Sequence, residues 1–229
     1  MDNLEAFIAL ANLFESHHHK LYLVGGTVRD YLLNLPLSDM DAVSDATPEE
    51  IISFLPNVDT TFMRMGSLKY KDDNNIKFDI TTLREEKGYA DMRHPNEVIF
   101  VKDLEKDYLR RDFTINALYM DKDLKIYDFC HGQDDLKNKI IKVVGNADKR
   151  LKEDPLRILR AVRFSLIFDF ELEASLYQAM VDNFPLLTQL TDAKIKSEIA
   201  KIPFDKVNQK RKDALFMKFD IDNLKGVIK

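Results

Sequence analysis

Val24-Gly25-Gly26-Thr27-Val28-Arg29-Asp30, with Ser38-Asp39-Met40-Asp41 soon after it, is the stretch from which the first half of this chain is read. Leu21–Val24 is a short apolar run stopped by two glycines, which reads as a buried strand ending in a turn. Thr27 then opens a helix reaching Asn34, and Leu37–Val43 returns as a second strand. A strand that runs through glycines into a helix brings bare backbone N–H groups to one point. That suits a phosphate, because glycine permits close approach and a helix start is electropositive. Arg29, one turn inside the helix, adds a charged fork for a phosphoryl oxygen. Taken alone, the pattern also describes many ordinary packing turns.

Asp39 and Asp41 sharpen it. Residues two apart on a strand share a face, so both carboxylates project together. Two such groups repel unless a cation lies between them, and hard oxygen ligands suit Mg2+ beside substrate phosphates. An isolated pair of this kind is more often a turn cap and a surface ion pair. Placed behind a phosphate-binding turn, it reads as the apparatus of two-metal nucleotidyl transfer.

Working outward, Leu4, Phe7, Ile8 and Ala11 have helical spacing over Asp2–Ser16. Thr47-Pro48-Glu49-Glu50 marks a helix start. Ser67–Lys71 and Ile76–Thr81 read as a hairpin across Asp72–Asn75, and Leu118–Met120 with Lys125–Phe129 as another. Residues 83–98 are polar and read as a long loop, of a length that is usually functional or mobile. From about Ala147 the pattern is helical almost throughout. The expected fold is α+β: a head over residues 1–145, a small mixed sheet flanked by helices, then an all-α neck over 146–229.

Composition sets the outer bounds. At 229 residues with 45% hydrophobic content the chain supports a full core, which excludes disorder. One cysteine, Cys130, excludes a disulfide framework and a Cys-rich zinc site. With no long apolar run and no leader-like start, the expectation is a soluble cytoplasmic chain without membrane contact. Nothing points to a protein partner. The net charge of −5 argues against nonspecific polyanion binding. Residues 186–229 run the other way, with 10 Lys and Arg against 6 Asp and Glu. Within them Lys210-Arg211-Lys212 is either a solvated face or a contact for RNA phosphates. His17-His18-His19 reads as a solvated helix end, because consecutive side chains diverge on a helix.

The glycine turn and Asp39-Met40-Asp41 together resemble the nucleotide-binding motif of the class II tRNA nucleotidyltransferases, the CCA-adding enzymes and their bacterial poly(A) polymerase relatives. Three more segments follow in family order. Tyr89–Pro95 is similar to the family's flexible loop. Arg110-Arg111-Asp112-Phe113-Thr114-Ile115-Asn116-Ala117 is similar to its ribose-recognition motif. Glu153-Asp154-Pro155-Leu156-Arg157, continuing to Phe164, is similar to the amino-acid template that selects the base. The resemblance spans roughly residues 21–170 and implies a head like that of DNA polymerase β. It implies Asp39 and Asp41 as catalytic Mg2+ ligands, and Gly25, Gly26 and Arg29 on the triphosphate. Arg111 would lie near the nucleotide and Asp112 near its ribose.

The residues of the third segment support this on their own chemistry. Asp154-Pro155 opens a helix, and Arg157 lies one turn on, so an acceptor and donors face one base edge. Cytosine and adenine both present an exocyclic amine beside a ring nitrogen, so one Asp/Arg pair serves both. Uracil and guanine would leave buried groups unpaired. Arg160 and Arg163 continue along the helix toward phosphate or RNA; a solvated, salt-bridged face is the alternative. Asp79, between Phe78 and Ile80 on a candidate strand, is either a third metal carboxylate or an outward polar residue. The implied activity is addition or repair of the tRNA 3′-terminal CCA from CTP and ATP. Two alternatives stay open: a poly(A) or A-only product, and a catalytically idle RNA- or nucleotide-binding domain. Family members continue into further helical domains that hold tRNA, and the resemblance here covers the head and the neck with a short basic stretch, as expected either of a minimal enzyme or of part of a longer one.

Overall fold

The computed structural model describes residues 2–38, 40–89 and 95–219, in two compact units. The first takes in Met1–Gly88 and Pro95–Gln133; the main stretch of the second is Asp134–Lys229.

The first unit opens on helix α1 (Asn3–Ser16), started by a capping box in which Asp2 and Glu5 each accept the other's backbone N–H. His17 and His18 are exposed at the end of α1, as the sequence suggests, although the rings of His17 and His19 stack on Phe54 at 4.4 and 6.0 Å between ring centres. Then come β1 (Leu21–Val24), α2 (Gly26–Leu32), β2 (Met40–Ser44) and α3 (Pro48–Phe54), the last capped by Thr47 and Glu50. Strands β3 (Ser67–Lys71) and β4 (Lys77–Thr82) form the expected antiparallel hairpin. The run from 83 to 98, expected as a loop, instead contains β5 (Arg84–Tyr89) and β6 (Pro95–Phe100), paired as a separate two-stranded sheet. Its polarity reflects a ribbon with no large apolar face, where alternation gives no signal. Helix α4 (Leu104–Asp107) and the hairpin of β7 (Leu118–Met120) with β8 (Ile126–Asp128) complete the unit.

The main sheet runs β3-β4-β2-β1-β7-β8, with only β2 and β4 parallel. Strand alternation sorts its two faces. Leu21, Leu23, Met40, Ala42, Phe78 and Ile80 pack on one side in a core with Phe7 and Phe14 of α1. Tyr22, Val24, Val43 and Tyr119 face the other way, over a smaller cluster with Leu83 and Leu104. Asp41 and Asp79, each interleaved with core residues of the first set, therefore belong to the second face.

Helix α5 (Gly132–Lys137) crosses the division between the units. The second unit then holds β9 (Ile140–Ile141), α6 (Ala147–Glu153), α7 (Leu156–Phe168), β10 (Glu171–Leu172), α8 (Ala174–Asn183), α9 (Asp192–Ile199) and α10 (Gln209–Lys218). It is helical as expected, apart from a two-residue parallel pairing of β9 with β10. Leu159, Val162 and Leu166 are the buried stripe of α7. No helix among the described residues is long and apolar enough to cross a membrane.

Gly132 packs against the segment that leads into β7. A Cβ there would lie 2.2 Å from the Thr114 carbonyl oxygen. Gly132→Ala should cost about 2–3 kcal/mol, as overpacking does. Gly145, with φ +81° and open space around it, carries only the left-handed penalty of about 1–2 kcal/mol on substitution by Ala. Thermal unfolding of both variants checks this; equal losses would contradict the packing role of Gly132.

Candidate active site

The site begins where β1 ends. Gly25 has φ +68°, and its N–H donates to the Leu118 carbonyl, which fixes the turn against β7. A side chain is unfavourable there because of the positive φ; a Cβ would sit in ordinary contact with Arg111 Nη1, at 3.6 Å. The arginine tip thus lies beside the glycine turn. Thr27 Oγ1 accepts the Asp41 N–H at 3.0 Å, tying the first turn of α2 to the strand that carries the carboxylate. Asp41 is exposed and Asp79 half-buried, and the two are direct partners in the β2–β4 register. Lys69 Nζ approaches Asp79 to 3.2 Å. Asp39 lies outside the described residues. Strand β2 starts at Met40, not at Leu37 as the sequence suggests. Among the described residues, no group of three or more His, Cys, Asp and Glu is placed to hold a metal.

Arg29 is turned into the protein. Its Nε and Nη2 donate to Asp30 Oδ1 at 2.9 and 2.8 Å, and its Nη1 to Asn116 Oδ1 at 2.6 Å. Asn116 in turn donates to Asp112 Oδ1 at 3.3 Å, and Asp112 accepts the Phe113 N–H at 2.7 Å. Arg29 and Asp112, two expected nucleotide contacts, are thus joined through Asn116, a residue the sequence does not single out.

Asp107 is the second missed residue. It has no exposed surface, yet carries a full negative charge. Arg111 donates to its Oδ2 from Nη2 at 2.9 Å, Tyr119 from Oη at 2.8 Å, and Arg110 to Oδ1 from Nε at 2.9 Å. The Arg84 backbone N–H adds a bond at 3.1 Å. Burial pushes this carboxyl's pKa up, but the two guanidiniums and the hydrogen bonds outweigh it, leaving it well below the usual carboxylate range. Tyr119 also accepts from Arg111 Nε at 3.0 Å, and burial pushes its phenol well above the ordinary tyrosine value. The available signal was spacing: Asp107 precedes Arg110 and Arg111 by three and four residues.

In the second unit, Asp154 ends α6 and its Oδ1 accepts the Leu156 N–H at 3.1 Å, so it stands ahead of the helix carrying Arg157. Arg157 is 6% exposed and donates to the Arg150 carbonyl at 2.7 Å, with Glu153 at 3.6 Å. Arg163 Nε donates to the buried Glu198 at 2.5 Å, and Arg160 and Arg163 both lie over the Phe164 ring. Burial raises the Glu198 pKa, but Lys201, Arg163 and Arg160 bring it below its ordinary value. Arg211 pairs with Asp169 and Glu171, Lys212 bonds Gln209, and Lys210 is exposed.

Residues 21–142, more than half of the chain, match the family model described as the poly A polymerase head domain. The chain belongs to that family. The CCA-adding enzyme of Staphylococcus saprophyticus is 40% identical over 190 residues, covering 82% of this chain and 47% of that protein. That of Ligilactobacillus salivarius is 44% identical over 181 residues, covering 79% and 45%. The chain therefore spans about half the length of the curated relatives it matches. Among solved structures, the Bacillus stearothermophilus CCA-adding enzyme in complex with CTP superposes with a TM-score of 0.80 at 33% identity, covering 90% of this chain and 50% of that one. The Thermotoga maritima CCA-adding enzyme complexed with tRNA-CCA gives a TM-score of 0.75 at 27% identity, covering 96% and 51%.

Asp107→Asn should lower stability by about 3–5 kcal/mol, because it removes the buried charge with which both Arg110 and Arg111 pair. Tyr119→Phe removes one hydrogen bond and should cost about 1 kcal/mol. An unfolded aspartate titrates near ~3.9, so the native carboxylate's stabilisation is complete above that pH and is lost on acidification through its lower folded value. Urea unfolding from pH 7 down to about pH 2 should show that loss in the parent and a flatter acid limb in Asp107→Asn. Parallel acid limbs would contradict it.

Proposed function

We propose that this chain carries the catalytic part of an RNA nucleotidyltransferase that adds or repairs the 3′-terminal CCA of tRNA from CTP and ATP. The observation that carries this reading is the meeting of three groups at the end of β1: the Gly25-Gly26 turn, the Arg111 Nη1 beside it, and Asp41 tied to it through Thr27. It is supported by the names of the relatives, two of whose structures hold CTP and tRNA-CCA.

In this reading residues 1–145 are the catalytic head and 146–229 the base-selecting neck. Gly25, Gly26 and Arg111 bind the triphosphate, while Arg29 and Asn116 brace Asp112 at the sugar. Asp41 and Asp79 offer hard oxygen donors on one face, fitting Mg2+, with Asp39 as a further ligand. Bound Mg2+ would supply charge neutralisation between these carboxylates and the triphosphate and lower the pKa of the attacking hydroxyl. The RNA 3′-hydroxyl oxygen bonds to the α-phosphorus in line, the bond to the β-phosphate bridging oxygen breaks, and pyrophosphate leaves with the hydroxyl proton released. Asp154 and Arg157 read the base edge; the Glu198–Arg163 pair stiffens the same helix. Lys210, Arg211 and Lys212 form a basic stretch for RNA phosphates, with Arg211 held by Asp169 and Glu171 and therefore the least available. The setting is the cytoplasm.

Asp41→Asn should reduce nucleotide incorporation more than about 100-fold, since even outer-shell groups of metal sites are worth 10–100-fold. Its unfolding midpoint should stay unchanged, because Asp41 is exposed. Near-normal incorporation in Mg2+ would overturn the assignment. Arg157→Ala should narrow the preference for CTP over UTP at least about tenfold, as loss of a buried base-edge donor implies. If CTP and UTP use fall together, the residue does not read the base.

A further inference from the structure

Beside the two carboxylates, on the side away from the glycine turn, the first unit holds a cavity of about 420 Å3. Its walls include Asp41, Asp79, Lys69, Lys71 and Lys77. Lys71 and Lys77 are direct partners across the β3–β4 hairpin, and Lys69 and Asp79 are the next such pair along the same face. Two lysines directly opposite one another repel and weaken a hairpin unless an anion lies between them. Lys71 and Lys77 are exposed and make no ion pair among the described residues. Asp59, also on the wall, is turned to Thr61, accepting its hydroxyl at 2.6 Å and its N–H at 2.9 Å. The lysine pair is thus the exposed basic part of the cavity wall.

Sheet order says which ligand. In β3-β4-β2-β1, Asp41 on β2 has the glycine turn on its β1 side and the lysine cavity on its β4–β3 side. In-line displacement puts the attacking oxygen and the departing pyrophosphate on opposite sides of the reacting phosphorus. With the triphosphate on the β1 side, the acceptor strand has to reach Asp41 from the β4–β3 side.

We propose that this cavity seats the 3′-terminal backbone of the RNA acceptor, with Lys71 and Lys77 on its phosphates. This rests on the nucleotidyl-transfer reading for its direction, but the binding it describes is measurable without turnover. The test uses the full chain and a labelled single-stranded RNA ending in CC, with binding followed by fluorescence anisotropy in the absence of nucleotide. Binding of CTP alone and of pyrophosphate alone is measured alongside. Lys71→Glu/Lys77→Glu should weaken RNA binding at least about tenfold at low salt, with a shallower salt dependence, and leave CTP and pyrophosphate affinity unchanged. Lys71→Arg/Lys77→Arg should restore RNA binding. Unchanged RNA affinity would overturn the proposal, and so would a matching loss of pyrophosphate affinity, which would give the cavity to the leaving group. If the parent incorporates no nucleotide while the charge reversal still weakens RNA binding, the cavity stands and the transfer reading falls.

Discussion

A carboxylate with no exposed surface, Asp107, holds the first unit's chemistry in place. Removing a charge from water costs several kcal/mol, so a buried one persists only where opposite charges and hydrogen bonds surround it. Here they come from different parts of the chain: Arg110 and Arg111 just downstream, Tyr119 on β7, and the backbone at the start of β5. The requirement that this one group be satisfied forces those parts together. Arg111 is gripped at Nε and Nη2, and its Nη1 lies beside the glycine turn. A flexible, strongly charged side chain is thereby preorganised.

The second organising constraint is the two-residue period of a strand. On β1, β2 and β4 the odd and even positions go to different faces, and α1 covers only one of them. Asp41 and Asp79 interrupt apolar strands without disturbing the α1 core because they fall on the face away from α1. The parallel register of β2 with β4 then makes neighbours of two residues far apart in sequence. The same register places the paired lysines of β3 and β4 next along that face.

Much of this is legible in the sequence where local chemistry decides the outcome. The glycine turn, the Thr47 helix start and both hairpins follow from breakers, caps and alternation, and each forms where those signals stand. The β5–β6 ribbon is not legible, because a strand pair without a large apolar face has no hydrophobic pattern. Asp107 is hidden for a different reason: in Asp103-Leu104-Glu105-Lys106-Asp107 three acids look alike, and only the tertiary fold selects the one that is buried. Arginine roles are the least legible. Sequence assigns Arg29 and Arg163 to phosphate or RNA, yet their guanidiniums are engaged by Asp30 with Asn116 and by Glu198. Long cations serve fold and ligand alike, and spacing does not tell which.

Fold and family are shown by the match over residues 21–142, while the reaction is a proposal that one product analysis decides. The chain would be incubated with Mg2+, CTP and ATP and with tRNAs lacking the last one, the last two or all three nucleotides of the terminal CCA, and the products sequenced. Completion of each tRNA to CCA, with extension stopping there, is the predicted result. A homopolymer of A would contradict it in favour of poly(A) synthesis, and unextended tRNA would contradict the enzymatic account of these residues.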